Sequence, residues 1–494
     1  MTTPPEPFPV PAAPAAEPPS RRAAEPSDAA PPWDALAREL DPLFDAIREL
    51  PVLPPAGTGP EQVRRALAGF DFRDPVPLDR LIADLAALLR EHTVHVTHPR
   101  YFGLFNPSVR RAGIAGDALA AGFNLQLAAW SHAPAAAELE RLTLRALAEP
   151  LGFAPDGMLA HFASGGAEAN LSAVLVALAH AFPESGRLGV GGLGVRPAIY
   201  VGGESHHSFV KIARMAGLGT DALREAKVTG HWTLDVADLA SRIQADRAAG
   251  WMPLLVVGTA GTTSAGVVDD LPALGELARA HDAWFHVDAA WGGAAALSPR
   301  LRPALAGIER ADSVTWDAHK WLSAPMGAGM FFCRHPAAVR RAFATTTAYM
   351  PAGADGADDP YQVTSQWSRR AIGLKVFCTL AELGMDGMRA QVEHQAAMGD
   401  RMKILLRDAG WEVVNDTPLP LACVTHPDAR AGRLDLAALV GKVQARRKVW
   451  VSRTVLGGRL PVVRACITSW RTTPGDLEVL VAELEAARAE CLAG

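Results

Sequence analysis

Short, continuous apolar runs alternate with helical segments through the middle of the chain, and this alternation most limits the possible folds. Such runs are typical of parallel β-strands that helices cover on both faces. The predicted strands are 198–202, 224–228, 254–261, 283–288, 312–316 and 328–333. We therefore expect an α/β fold with one large, mostly parallel sheet that binds ligands at the carboxyl ends of its strands.

The length and the texture of the chain indicate more than one domain. At 494 residues the chain is too long for one ordinary core. Residues 1–32 are rich in proline and alanine and poor in large apolar side chains, which predicts a disordered tail. A helical segment over 33–95 should precede a large domain over 96–385, and a small α+β domain should follow over 386–494.

Composition argues against several classes of function. The formal net charge is −5 with both signs interspersed, which gives no indication of a nucleic-acid or membrane-surface partner. No apolar stretch is long enough to predict a membrane span. The five cysteines form no CxxC pair, so we expect reduced thiols in a cytoplasmic protein.

A glycine-rich segment, Gly189–Gly194, has the GxGxxG spelling of a dinucleotide-binding loop. That motif requires a strand before it and a helix after it. Here a predicted helix precedes the glycines and a predicted strand follows them. We therefore interpret the segment as a surface loop.

Two segments place reactive side chains directly after predicted strands. In SVTWDAHKWL, Asp317, His319 and Lys320 follow a strand, and a lysine in this position can form an imine with a carbonyl cofactor. In AWFHVDAAWGG, Asp288 ends an apolar strand, where a cationic partner such as a protonated pyridine nitrogen would offset its desolvation. The alternatives are a solvated His–Lys pair and an aspartate that caps a helix or pairs with an arginine.

Three further strand-end segments are rich in small or polar residues. Gly166 and Ala167 stand where a helix begins, and their N–H groups and the helix dipole suit a phosphate group, although many such turns merely start helices. His206 is placed to stack on an aromatic ring, and Thr263 lies in another strand-end loop. Adjacent histidines on one turn point apart, so we expect no metal site there.

Together these segments have the order of one cofactor site, with a phosphate cradle, a stacking histidine, a threonine loop, an acid and a lysine. The motifs HPRYF, SGGAEANL, ESHHS, GTTSAG, HVDAAWGG and DAHKWL closely resemble those of the group II pyridoxal-5′-phosphate (PLP)-dependent amino acid decarboxylases, over roughly residues 80–490. HVDAAWGG with HKWL is the specific part of the resemblance. It implies the PLP-dependent transferase fold type I and a homodimer with active sites at the subunit interface.

The resemblance also implies roles for individual residues. Lys320 would carry PLP as a Schiff base, Asp288 would pair with the pyridine nitrogen, and His206 would stack on the cofactor ring. The other residues expected near the cofactor are Gly166, Ala167, Thr263, Asp317 and His319. Asp317 stands where members of this family often have asparagine.

Tyr349 opens the segment AYMPAGADGADDPYQ, whose glycine, aspartate and proline content predicts a mobile loop. In the family that this chain resembles, a tyrosine on such a loop returns a proton to Cα after CO2 has left. Relatives with phenylalanine there tend to react with O2 and release an aldehyde. Tyr349 therefore favours plain decarboxylation, and a tyrosine that only packs the loop is the alternative.

The sequence indicates the substrate less clearly than it indicates the cofactor. The residues expected to contact it are Leu104, Asn106, Trp130, His132 and Arg464. Leu104 stands where glutamate decarboxylases tend to carry glutamine, and Trp130 suits an aromatic or apolar group, whereas Gln126 and His132 suit something more polar. We predict decarboxylation of an L-amino acid, with an aromatic substrate preferred.

Two kinds of alternative function remain open. One is another reaction of the same fold type, such as transamination, oxidative deamination or C–C lysis. The other is a PLP-binding protein without catalysis that acts as a partner or regulator. The joint presence of Lys320, Asp288, His206 and Tyr349 argues against the second alternative.

Overall fold

The structure is a computed structural model that describes residues 32–493 except 56, 346, 348 and 351–355. The predicted disordered tail lies outside the described residues apart from Pro32, where the first helix begins. Seven strands form a large sheet. They are β1 (Leu159–Ala163), β2 (Arg196–Gly202), β3 (Leu223–Ala226), β4 (Trp251–Thr259), β5 (Trp284–Asp288), β6 (Ser313–Asp317) and β7 (Gly329–Cys333).

The strand order in the large sheet is β1-β7-β6-β5-β4-β2-β3. The five strands from β6 to β3 pair in parallel, whereas β7 is antiparallel to both of its neighbours. The predicted α/β fold with a mostly parallel sheet is therefore confirmed. β1 is a strand that the sequence patterns did not predict, because it is short and runs directly into the glycine-rich turn at 164–166.

Both faces of the large sheet are buried, which explains the continuous apolar runs. In β2, Ala198 and Tyr200 belong to one core cluster, whereas Ile199 and Val201 belong to another. Successive residues of a strand point to opposite faces, so each face has its own core. The helices between residues 111 and 343 are α5 (Arg111–Gly122), α6 (Pro134–Ala148), α7 (Gly166–Ala181), α8 (Ser185–Leu188), α9 (Ser208–Met215), α10 (Val236–Ala248), α11 (Leu271–Ala280) and α12 (Pro336–Phe343).

Helices at both ends of the chain flank this core. The N-terminal helices are α1 (Pro32–Leu40), α2 (Pro42–Asp45), α3 (Pro60–Leu67) and α4 (Leu78–His92). The C-terminal helices are α13 (Gly373–Asp408), α14 (Pro427–Arg430), α15 (Leu436–Ala445) and α16 (Pro474–Ala493). α4 lies within the helical segment predicted over 33–95, and α13 is broken at Gly384, which adopts φ 64° next to the proposed domain boundary at 385.

The small C-terminal sheet is antiparallel, with the order β10-β11-β9-β8. Its strands are β8 (Glu412–Val413), β9 (Leu421–Thr425), β10 (Ser452–Leu456) and β11 (Leu460–Cys466). Phe102, from the segment before the large sheet, is fully buried in the core beneath this small sheet. Its N–H donates to Trp450 O and its carbonyl accepts from Cys466 N–H, so the segment before α5 is tied to the small domain.

The glycine-rich turn before α7 is packed tightly against β7. A Cβ atom added to Gly329 would lie 2.5 Å from the carbonyl carbon of Gly165, so a side chain there must displace the turn. We predict that Gly329→Ala lowers the free energy of unfolding by about 1–3 kcal/mol and weakens binding of a ligand phosphate at this turn. Thermal melting and ligand titration measure both effects. Gly441→Ala, in an exposed helical position with free space around it, is the matched control. It should leave ligand binding unchanged and raise the free energy of unfolding by up to about 1 kcal/mol, because alanine is the better helix former.

Candidate active site

The carboxyl ends of β4, β5 and β6 meet at one edge of the large sheet. Thr259 pairs with Asp288, and Asp288 pairs with Thr315, across the three strands. β6 ends at Asp317, and the next turn carries Lys320. Residues predicted from separate motifs are thereby brought to the same edge.

Lys320 is the accessible amine of this site. Its Nζ lies 3.1 Å from Asp317 Oδ2 and 5.7 Å from the centroid of the Phe105 ring. The lysine side chain keeps 21% of its surface exposed, whereas Asp317 is buried. Asp317 Oδ1 has no hydrogen-bond partner among the described residues, so this carboxylate has capacity for a further donor.

His319 is held in one tautomer behind the lysine. Burial lowers its pKa, so the imidazole is neutral at neutral pH. Its Nδ1 accepts from the Ala328 N–H at 3.1 Å. The proton of the neutral ring is therefore on Nε2, which lies 3.7 Å from Asp317 Oδ2.

Asp288 is a buried carboxylate surrounded by neutral donors. Its Oδ2 accepts from Asn170 Nδ2 at 2.8 Å, and its Oδ1 accepts from the Ala290 N–H at 3.1 Å. Its residue surface is 5% exposed, and no lysine, arginine or histidine of the described chain forms an ion pair with it. A buried carboxylate of this kind is stabilised when a cation arrives, so the site fits a ligand with a positive group.

The turn before α7 brings bare backbone to this edge. α7 begins at Gly166, and a Cβ atom there would lie 3.0 Å from Asp317 Oδ2 and 3.2 Å from Ala290 Cβ. Ala167 follows in the first turn and is exposed. Unpaired N–H groups at the start of a helix of this length suit a phosphate group.

His206 lies at the open side of the same site. Its Nδ1 accepts from the Ser208 N–H at 3.2 Å. Its pKa is lowered chiefly by burial and also by the charge of Lys320, while Asp288 acts in the opposite direction. The ring is therefore neutral at neutral pH and close enough to both charges to respond to them.

Arg464 is a buried cation that bonds only to carbonyl groups. Its Nε donates to Thr263 O at 2.8 Å and its Nη1 donates to Gly103 O at 2.7 Å, while the guanidinium lies 4.6 Å from the Phe105 ring centroid. Nη2 is buried and has no partner in the described part of the chain. This unpaired donor makes Arg464 suited to an anion.

Leu104 and Asn106, predicted to contact the substrate, flank Phe105 in the chain, and Thr263, predicted to lie near the cofactor, contacts Arg464. The Leu104 side chain is exposed, and Asn106 contacts Tyr101 and Met326. Thr263 is exposed and contributes its carbonyl to Arg464. These contacts leave their predicted roles open.

Among the described residues, no hydrogen bond, ion pair or ring contact joins Trp130, His132 or Tyr349 to Lys320. The Trp130 indole donates to Glu138, and its backbone N–H donates to Asp359. His132 is exposed. Tyr349 is 74% exposed and lies beside Trp367, with ring centroids 6.2 Å apart.

Two residues of the site were missed by sequence reasoning. The Phe105 ring centroid lies 5.7 Å from Lys320 Nζ and 4.6 Å from the Arg464 guanidinium, and the ring stacks on Trp291 with centroids 4.4 Å apart. Asn170 contacts Asp288 from α7. The signal for Asn170 was present, since it is an amide on a face of a helix that is otherwise apolar, whereas nothing local distinguishes Phe105.

These residues fit PLP. The cofactor has a phosphate for the turn at Gly166, an aldehyde for Lys320 and a pyridine nitrogen that is cationic when protonated, as Asp288 requires. The flat face of His206 can cover its ring. The fold and the site therefore define a PLP enzyme of fold type I.

Comparison with known proteins specifies the family. The family model for the pyridoxal-dependent decarboxylase conserved domain matches residues 60–426. Tyrosine decarboxylase of Oryza sativa subsp. japonica is 33% identical over 403 residues, which are 78% of this chain and 72% of that protein. Tryptophan decarboxylase 1 of the same plant is 29% identical over 462 residues, which are 87% and 88% of the two chains.

The structural comparison agrees. A crystal structure of Oryza sativa TDC with PLP and tryptamine superposes with a TM-score of 0.85 at 27% identity, covering 93% of this chain and 98% of that one. The chain belongs to the pyridoxal-dependent decarboxylase family. It is a PLP-dependent amino acid decarboxylase, as its motifs predict.

Two further features are absent from the described residues. These residues contain no helix long and apolar enough to cross a membrane. They also contain no cluster of three histidine, cysteine, aspartate or glutamate side chains that could hold a metal ion.

The position of Lys320 generates a direct test of the cofactor linkage. We expect the purified protein to show the visible absorption band of lysine-linked PLP, and Lys320→Ala to lose it, because no other lysine of the described residues pairs with Asp317. Borohydride reduction followed by peptide mapping should find the pyridoxyl group on Lys320. A label on another lysine would show that the assignment is wrong.

Proposed function

We propose that the protein converts an aromatic L-amino acid into its amine and CO2, with Lys320, Asp288, His206 and Tyr349 as the residues that carry the reaction. The observation that carries this proposal is the buried Asp288 carboxylate, which has neutral donors and no cationic partner in the described chain. When bound, PLP supplies an electron sink for the bond that breaks at the substrate Cα.

Lys320 would hold the cofactor and later release it to the amino group of the substrate. Asp317 Oδ2, at 3.1 Å, would stabilise the lysine amine in its charged form after release. Asp288 would keep the ring nitrogen protonated. His206, as a neutral ring, would lie against the cofactor without repelling the positive charge that Asp288 maintains.

Arg464 is the candidate for the negative charge of the substrate. Its buried Nη2 lacks a partner in the described chain, and its other donors are fixed by Thr263 O and Gly103 O. The Phe105 ring lies near both Arg464 and Lys320. Together they define the side of the site from which we expect the substrate to enter.

An aromatic substrate is supported by the relatives and by the apolar mouth of the site. The relatives reported above are named for tryptophan and tyrosine. Leu104 is 54% exposed at the mouth and offers apolar surface to a side chain, with Phe105 behind it. A decarboxylation screen of the protein amino acids together with DOPA, 5-hydroxytryptophan, cysteine sulfinate and 2,4-diaminobutyrate tests the preference, and a higher kcat/KM for an acidic or basic substrate would contradict it.

We further propose that the enzyme is a homodimer whose active sites lie at the interface. Apolar side chains are exposed near the mouth and on the loop after α12 to an extent that is costly in water, notably Leu104, Met326 and Tyr349. A second copy of the chain would cover them. A cytoplasmic location is supported by the five cysteines, all of which are free thiols.

Asp288 provides the second test of the site. Asp288→Asn should retain some PLP through the phosphate turn but lower turnover by orders of magnitude, because a neutral ring withdraws electrons poorly. Steady-state kinetics with the cofactor content measured in the same samples separates the two effects. Asp408→Asn, at an exposed aspartate, is the control, and near-normal turnover in Asp288→Asn would make the carboxylate structural.

Tyr349 decides the product. A proton donor on a loop acts after CO2 has left, so Tyr349→Phe should keep the visible band and the substrate affinity. It should lose amine and gain aldehyde, ammonia and peroxide, since O2 then intercepts the unprotonated carbon. Product analysis measures this shift, with Tyr361→Phe as the matched control. Amine at the parent rate without aldehyde would leave Tyr349 as a packing residue.

Because Tyr349 lies away from Lys320 in its own chain, a mixed dimer tests which subunit supplies it. A dimer of one Lys320→Ala chain and one Tyr349→Phe chain contains one intact lysine. If the partner supplies the phenol, this dimer should form amine at up to about half of the parent rate. If each chain serves its own site, the mixed dimer should form aldehyde only.

A further inference from the structure

A row of buried hydrogen bonds runs behind Asp288, away from the cofactor side. Trp284 Nε1 lies 2.8 Å from Ser313 Oγ, which lies 2.8 Å from His286 Nδ1. His286 Nε2 lies 2.9 Å from Asn170 Oδ1, and Asn170 Nδ2 lies 2.8 Å from Asp288 Oδ2. All five side chains are buried, so water does not compete for these bonds.

The carboxylate end of the row fixes its direction. An ionised carboxylate only accepts hydrogen bonds, so the amide of Asn170 must turn its NH2 group to Asp288. Its oxygen then faces His286 and must receive a proton from Nε2. Thr315 Oγ1 is farther from that nitrogen, at 3.4 Å.

The indole end of the row is compatible with this direction. Burial lowers the pKa of His286 to about 4, so the ring is neutral and has one proton. That proton is on Nε2, where the Asn170 oxygen requires a donor, so Nδ1 accepts a hydrogen bond from Ser313 Oγ. The Trp284 N–H only donates, and Ser313 Oγ accepts from it. The carboxylate end therefore fixes every proton of the row, and the indole end fits the same arrangement.

We propose that Asn170 is a positioning residue for the reaction, and that His286, Ser313 and Trp284 hold its amide in the orientation that Asp288 needs. The Nδ2–H group stabilises the negative charge of Asp288 Oδ2, while the Ala290 N–H holds Oδ1. A carboxylate that stays charged and fixed in its plane is the better partner for a protonated ring nitrogen. If the Asn170 amide were flipped, its Oδ1 would face Asp288 Oδ2.

The inference rests on the proposed role of Asp288 as the partner of the ring nitrogen. Its test therefore reads the protonation of that nitrogen directly, through the chemical shift of PLP labelled with 15N in the ring. The same samples give kcat, KM and the Kd for PLP. Ring protonation is the readout that a role in packing alone would not change.

Two substitutions at Asn170 separate donation from packing. Asn170→Ala removes the donor and leaves a cavity, whereas Asn170→Asp keeps the shape and replaces the donor by oxygen. We expect both to lose ring protonation at neutral pH and to lower kcat about tenfold to a hundredfold with KM near the parent value. The aspartate variant should be at least as impaired as the alanine variant, whereas packing would make it milder.

The controls distinguish failure of this inference from failure of the proposed function. Ser172→Ala removes a buried hydroxyl from the same helix without touching the row, and should keep the parent 15N shift. If Asp288→Asn loses ring protonation and both Asn170 variants keep it, the positioning role is wrong and the role of Asp288 stands. If Asp288→Asn also keeps it, both are wrong.

If the Asn170 variants do not fold, a variant further from the cofactor provides the test. Ser313→Ala breaks the row at a residue three hydrogen bonds away from Asp288 and frees the amide to turn. We expect a partial loss of ring protonation in this variant. An unchanged 15N shift in folded Ser313→Ala would overturn the proposal.

Discussion

The rest of the site depends on one buried carboxylate at the edge of the large sheet, because its negative charge requires compensation. Asp288 ends a strand in which every residue is buried, so it loses most of its hydration. Neutral donors from α7 and from its own turn replace part of that hydration, and no cation of the described chain replaces the rest. The fold therefore holds a negative charge ready for a cofactor that brings the positive one.

Arg464 is likewise a buried charged group, but its charge is positive. It is a buried guanidinium fixed by two carbonyl groups, one from the loop after β4 and one from the segment before α5. An amino acid joined to PLP carries both a cationic ring and a carboxylate, so one ligand satisfies both unpaired charges. Under the proposed function, the region that carries the small sheet would contribute this cation to the site.

The parts of the site that can be predicted from the sequence are those that local sequence patterns mark. Lys320, Asp288 and Gly166 follow predicted strands or begin a helix, and the rule that ligands bind at the carboxyl ends of parallel strands brings them together from sequence alone. Phe105 acts through contacts with residues far along the chain, and β1 pairs with β7, so no local pattern marks either of them. Asn170 is marked locally as an amide on an otherwise apolar helix face, but its partner Asp288 lies far along the chain. The sequence predicts a loop for Tyr349 but does not say whose site the loop serves.

The row of hydrogen bonds from Trp284 to Asp288 also limits where protons can move in the site. A proton wire must be able to reverse, passing a proton in at one end and out at the other. This row starts at a group that only donates and ends at one that only accepts, so it has a single state. The row therefore does not conduct protons. Asp288 exchanges no proton with the interior behind it, and proton transfer is confined to the open side of the site.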